Sequence, residues 1–99
     1  MTKHKRPIME LIDILGRKWV LRILWELHIQ ASTFRELQSR CGDLSPTIIN
    51  KRLKELQESN LVIKSADKGY ELSEWGEELI VMFLPFNDFS ERWQSARTK

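Results

Sequence analysis

Apolar residues Ile8, Leu11, Ile12 and Leu15 recur at i, i+3, i+4 and i+7, the spacing that puts them on one stripe of a helix. Pro7 suits the first helical position and Gly16 the exit, so a first helix is predicted over about residues 7–15. A second stripe of Trp19, Val20, Ile23, Leu24 and Leu27 predicts a helix from about Lys18 to His28, with Arg17, Lys18 and Arg22 left to solvent. Thr33 followed by Glu36 has the form of a capping box and opens a short helix reaching about Arg40, with Phe34 and Leu37 facing inward. After the break at Cys41, Gly42, Asp43 and Leu44, the pair Ser45 and Pro46 reads as N-cap and first position of a fourth helix ending near Ser59. Two short helices joined by a tight Gly-containing turn are the pattern of a helix-turn-helix, placed at about residues 33–59.

The fourth helix has two sides that spacing alone separates. Ile49, Leu53 and Leu56 make a stripe suited to a core, while Thr47, Asn50, Lys51 and Lys54 lie at i, i+3, i+4 and i+7 on a polar side. Leu61 to Lys64 and Tyr70 to Ser73 are β-rich runs about a five-residue Ser65 to Gly69 loop, which predicts a hairpin wing at about residues 61–73. Ser73 then caps a last helix over about residues 74–96, where Leu79, Met82, Phe86, Phe89 and Trp93 repeat at alternating intervals of three and four, the spacing of a packing seam. Pro85 interrupts that helix and should bend or break it near Phe83 and Leu84. The predicted fold is mainly α with a small β-hairpin (α+β), in the order α, α, α, turn, α, β, β, α. At 99 residues the chain has room for one core, so residues 1–99 read as a single domain.

Charge sharpens this picture through its distribution, since the net charge is only +2. Residues 1–54 carry eleven Lys and Arg against five Asp and Glu, and residues 55–99 carry five against nine. The basic half, which contains the helix-turn-helix, is the candidate surface for a polyanion; the alternative is a solvated face with accidental asymmetry. The lone Cys41 excludes an intrachain disulfide, and no Cys/His spacing matches a structural zinc site. No window reaches about 18 consecutive apolar residues, so no membrane segment is expected and the location is read as cytoplasmic. No Ser/His/Asp or Cys/His arrangement, paired carboxylate motif or Gly-rich phosphate loop is present, and the chain is read as neither an enzyme nor a cofactor binder. His4 and His28 receive no role. Trp19, Phe34, Phe83 and Phe86 stand at helical spacings and are assigned to core or interface.

The sequence resembles the HxlR branch of the MarR-like winged-helix regulators. The likeness is carried by residues 7–19 (PIMELIDILGRKW), 34–37 (FREL), 44–46 (LSP), 52–56 (RLKEL), 61–62 (LV) and 70–73 (YELS) with Gly76, in the family's order over nearly the whole chain. The resemblance implies a winged helix-turn-helix homodimer that binds double-stranded DNA and regulates transcription. It further implies that the first and last helices form the subunit interface and that the helix after Ser45 and Pro46 is the recognition helix. Many members carry a Cys just before the Pro of the first helix, where some of them sense electrophiles or oxidants. Here that position is Arg6, so a thiol-sensor mechanism is not expected. The loop of the hairpin is shorter than is usual in such proteins, which leaves the wing's own contacts open.

On this basis Thr47, Asn50 and Lys51 are the candidates for base edges in the major groove, since Asn, Thr and Lys have the donors and acceptors that bases match. Arg52 and Lys54 are assigned to phosphate, as are Arg35, Lys68 at the wing tip and the basic Lys3, Lys5 and Arg6. Ser45 at the helix start can hold a phosphate oxygen, although plain capping and solvation explain Ser45 and Thr47 equally well. A twofold interface is placed at Ile8, Leu11, Ile12, Met82, Phe86, Phe89 and Trp93, which would set two recognition helices on half-sites of a pseudo-palindrome about one turn apart. A winged-helix module for protein interaction, without DNA, is the alternative.

Overall fold

In the computed structural model, which describes residues 6–98, six helices and one hairpin follow in order: α1 (Pro7–Leu15), α2 (Val20–Ile29), α3 (Phe34–Arg40), α4 (Pro46–Glu58), β1 (Val62–Ser65), β2 (Gly69–Leu72), α5 (Glu74–Phe83) and α6 (Pro85–Arg97). The predicted last helix is the α5 and α6 pair, divided at Leu84 immediately before Pro85. Leu84 keeps right-handed helical dihedrals, so the missing proline N–H interrupts the ladder there without reversing the chain.

The core lies where α2, α3, α4, the hairpin and the first turns of α5 meet. Its fully buried members include Val20, Ile23, Leu24, Leu37, Ile49, Leu53, Leu56, Val62 and Ile80. All but Ile80 come from apolar stripes or β-rich runs read in the sequence, and burial of such side chains contributes roughly 1.5–3 kcal/mol apiece. Neither α1 nor α6 has a buried residue. The Cα radius of gyration is 14.9 Å, above the roughly 12.6 Å expected for a compact chain of this length.

Left-handed residues shape the junctions. Helix α2 starts at Val20, two residues later than the stripe suggested, because Trp19 at φ 77° occupies its N-cap position. A left-handed non-glycine costs about 1–2 kcal/mol; the Trp19 ring packs against the core and offsets that cost. Helix α3 opens on the predicted capping box, Glu36 N–H donating to Thr33 Oγ1 at 3.2 Å and Thr33 N–H to Glu36 Oε1 at 2.9 Å. It closes with Gly42 at φ 78°, whose N–H donates to the Ser39 carbonyl at 3.0 Å while Asp43 N–H reaches Gln38 at 2.9 Å. The same two-bond closure ends α4, with Asn60 at φ 64° donating to Gln57 at 3.0 Å and Leu61 N–H donating to Leu56 at 3.0 Å.

The hairpin pairs Val62 with Leu72, Ile63 with Glu71, Lys64 with Tyr70 and Ser65 with Gly69. Ser65 and Gly69 are thus strand residues, and the tip is residues 66–68, shorter than the five-residue loop read from composition. An element that alternation could not reveal is the segment through Ser32, which bridges to Tyr70 in both directions, Ser32 N–H to Tyr70 carbonyl at 3.0 Å and Tyr70 N–H to Ser32 carbonyl at 2.8 Å. This single bridge fastens the wing to the entrance of the helix-turn-helix.

Candidate nucleic-acid interface

Helix α4 carries most of the candidate contact residues. Ile49, Leu53 and Leu56 are at most 1% exposed and anchor its inner side. On the other side Thr47, Asn50, Lys51 and Lys54 are all exposed, as the spacing required. Ser45 stands in the N-cap position with Pro46 at the first helical position, yet its side chain makes no capping hydrogen bond and is exposed. The N–H groups of Thr47 and Ile48, in the first turn, lack intrahelical acceptors and give the helix start a positive end. Arg35 is exposed in the first turn of α3, and Lys68 is exposed at the wing tip, where its backbone N–H donates to Ser65 Oγ at 3.0 Å.

Arg52 behaves differently from its neighbours. Its Nε donates to the Lys18 carbonyl at 2.8 Å and its guanidinium meets Glu55 Oε1 at 2.8 Å, with Arg17 a further 3.4 Å partner of that carboxylate. The side chain is only 18% exposed. One turn of α4 sets Arg52 beside the edge of the buried stripe, where an unused carbonyl in the α1–α2 turn attracts it, so Arg52 ties α4 to that turn instead of projecting outward with Lys51 and Lys54. Partial burial would raise the Glu55 carboxyl, but the hydrogen bond and charge of Arg52, with Arg17 behind it, outweigh burial and hold its pKa below the ordinary value.

A second polar cluster locks α3 in place. Arg40 donates to the Glu26 carboxylate at 3.3 Å, and also to the Glu26 carbonyl at 2.5 Å and to Ser32 Oγ. Arg22 donates to the Arg40 carbonyl at 2.7 Å and to Glu26 Oε2 at 3.0 Å. Cys41 packs inside this corner at 3% exposure; burial pushes its thiol up, only partly countered by Arg22 and Arg40. Cys41 thus serves this corner as a packed small side chain.

Lys64 is a wing cation that sequence reasoning passed over. It is exposed on β1, with its ammonium 5.5 Å from the ring of Tyr70, its cross-strand partner. The only sequence signal was its place opposite an aromatic in a hairpin whose register was not yet known. Lys3 and Lys5 lie outside the described residues; Arg6 is extended and exposed ahead of α1.

The interface candidates lie on α1, α5 and α6. Ile8, Ile12, Met82, Phe86, Phe89 and Trp93 are each half or more exposed, whereas Leu11 is partly covered by the core. An apolar groove of about 410 Å³ runs between Trp25 and the Phe86, Phe89 and Trp93 side of α6. Among the described residues no helix is long and apolar enough to cross a membrane, and no group of three or more His, Cys, Asp and Glu is placed to hold a metal ion.

A capped helix pair closed by a tight turn, followed by a hairpin bound back to it, defines a winged helix-turn-helix protein. The chain belongs to the HxlR-like helix-turn-helix family, whose profile matches residues 14–98. It is 26% identical over 94 residues to an HTH-type transcriptional regulator of Methanocaldococcus jannaschii, a match covering 90% of this chain and 87% of that one. Among solved structures it is similar to quinone-bound YodB of Bacillus subtilis, at 26% identity and TM-score 0.76 over 89% of this chain and 99% of the other. It also shares its fold with a possible HxlR family transcriptional factor of Thermoplasma volcanium, at 23% identity and TM-score 0.78 over 92% and 87% of the two chains. The relatives that these matches name are transcriptional regulators.

Proposed function

We propose that this protein is a homodimer that lays α4 in the major groove of a pseudo-palindromic operator and thereby controls transcription. The observation that carries this reading is the division of α4 between a sealed Ile49, Leu53 and Leu56 side and an open Thr47, Asn50, Lys51 and Lys54 side. Thr47, Asn50 and Lys51 near the helix start address base edges, and Lys54 further along meets phosphate. Ser45 with the first-turn N–H groups, Arg35 on the preceding helix, and Lys68 on the wing take backbone phosphates. Arg52 orients α4 through Lys18 and Glu55 and leaves the contact set. The two helices without buried residues, α1 and α6, supply the subunit interface through Ile8, Leu11, Ile12, Met82, Phe86, Phe89 and Trp93. Cytoplasmic location follows from that role.

The test is a gel shift on DNA upstream of the protein's own gene, with a salt titration. Wild type should bind, with affinity falling steeply as salt rises. Asn50→Ala with Lys51→Ala should weaken binding at least about tenfold, on the basis of roughly 1–3 kcal/mol per good base contact, and reduce discrimination between sequences. Unchanged affinity and specificity in that variant would refute the assignment of α4. No binding by wild type even at low salt would favour a protein-interaction module.

A further inference from the structure

The contact side of α4 contains one residue that its polar chemistry does not account for. Ile48 is 37% exposed, whereas the helix's other apolar residues, Ile49, Leu53 and Leu56, are at most 1% exposed. Ile48 is not part of the hydrophobic cluster. Single exposed apolar residues occur on any protein surface and need no explanation by themselves. Ile48 differs by its position. At about 100° per residue it lies about 60° round the helix from Lys51 and about 100° from Thr47, and Asn50 bounds the same arc on the opposite flank. The arc from Asn50 through Thr47 and Lys51 to Ile48 therefore spans about 160°, and its residues are exposed except Glu55, which is partly covered and paired with Arg52 and Arg17. Ile48 is also in the first turn, the part of a recognition helix that reaches base edges.

An aliphatic group has one specific counterpart in the major groove, the C5-methyl of thymine, which no other base of ordinary DNA presents. We propose that Ile48 is a specificity-determining residue that packs on a thymine methyl, at one position in each half-site, beside the base addressed by Lys51. The occupant of this apolar spot is thus a base in a DNA duplex, a choice supported by the exposed cations Lys51 and Lys54 on the same helix, which complement a phosphate backbone. This inference rests on the DNA-binding reading given above and adds to it which base is read by shape instead of by hydrogen bonds.

Duplexes selected from random DNA by the purified protein supply the probe. The best of them is resynthesised with deoxyuridine in place of each thymine in turn, which removes only the methyl group, and binding is measured by fluorescence anisotropy at fixed salt. At one thymine per half-site, methyl removal should weaken wild type about fourfold, and about fifteenfold when both half-sites are changed, the effect of exposing one apolar carbon each time. In Ile48→Ala the same replacement should have no effect, and in Ile48→Val an intermediate one, with the salt slope of all three proteins alike. Selected duplexes whose deoxyuridine versions all bind wild type equally would overturn the role of Ile48 while leaving DNA binding intact, and so would a penalty that persists undiminished in Ile48→Ala. Failure to select any duplex at low salt would remove both this inference and the reading beneath it. The wild-type arm needs no variant, so a folding defect in Ile48→Ala cannot shelter the proposal.

Discussion

Replacing Gly69 by Ala tests how the wing is held. Gly69 has φ 87°, and a Cβ there would lie 2.5 Å from the Ser32 carbonyl oxygen and 2.7 Å from the Thr33 Cα, both of them backbone atoms. No side chain can rotate to relieve the clash, so the hairpin must move off the Ser32 segment. Two consequences add: the left-handed conformation costs a non-glycine about 1–2 kcal/mol, and the paired Ser32 and Tyr70 hydrogen bonds, at 3.0 and 2.8 Å, are lost at about 1 kcal/mol each. The expected destabilisation is about 3–4 kcal/mol, set against a total of about 5–15 kcal/mol for a domain of this size. Gly42 provides the control, because it too is left-handed, at φ 78°, but a Cβ there meets nothing within 4 Å. Gly42→Ala should cost only the conformational part, about 1–2 kcal/mol. Urea unfolding of both variants measures the difference, and amide hydrogen exchange of Tyr70 locates it, since that N–H should lose its protection in Gly69→Ala alone. Equal destabilisation of the two variants, or a Tyr70 amide as protected as in wild type, would refute the steric argument.

Three further outcomes are expected. Because the folded pKa of Glu55 is depressed, its contribution to stability is present above the ordinary value of about 4.5 and lost as pH falls through the lower folded value. Glu55→Gln should therefore be less stable than wild type at pH 7, with the deficit shrinking in urea melts below about pH 4.5; a deficit independent of pH would contradict the role of the Arg52 and Arg17 ion pairs. Cys41, buried and with its thiol pushed up, should alkylate with iodoacetamide at neutral pH about 100-fold more slowly in the folded protein than in urea, and equal rates would show that the corner between α2 and α3 opens readily. Phe89→Asp places a charge on the exposed face of α6 and should shift the protein towards monomer in analytical ultracentrifugation while leaving its helical circular dichroism unchanged, whereas an undisturbed assembly would move the interface elsewhere.

Most of the α4 site could be read in advance because a helix converts sequence spacing directly into faces. Ile49, Leu53 and Leu56 had to share one side, and Thr47, Asn50, Lys51 and Lys54 another, whatever the rest of the chain did. The inward tie of Arg52 was not legible for the complementary reason. Glu55 lies only three residues on, but the Lys18 carbonyl that the Arg52 Nε meets, and the Arg17 that shares the Glu55 carboxylate, lie far back in the chain, and periodicity carries no information about which turn packs against which helix. Lys64 was passed over because its relation to Tyr70 depends on hairpin register, and Ile48 was left unassigned because only the packing of α4 shows which of its apolar residues stays exposed.

The sequence by itself settled those features whose cause is local: the capping box at Thr33 and Glu36, the left-handed exit at Gly42, the interruption before Pro85 and the two sides of α4. Each depends on backbone groups within about one turn of the residue concerned. Tertiary structure alone decided the features that join distant segments. These are the bridge from Ser32 to Tyr70, the Arg40 and Glu26 cluster that holds α3 against α2, and the turning inward of Arg52. The physical reason is that burying a guanidinium or a backbone N–H is favourable only where an acceptor waits, and which acceptor waits is known only once the chain has folded.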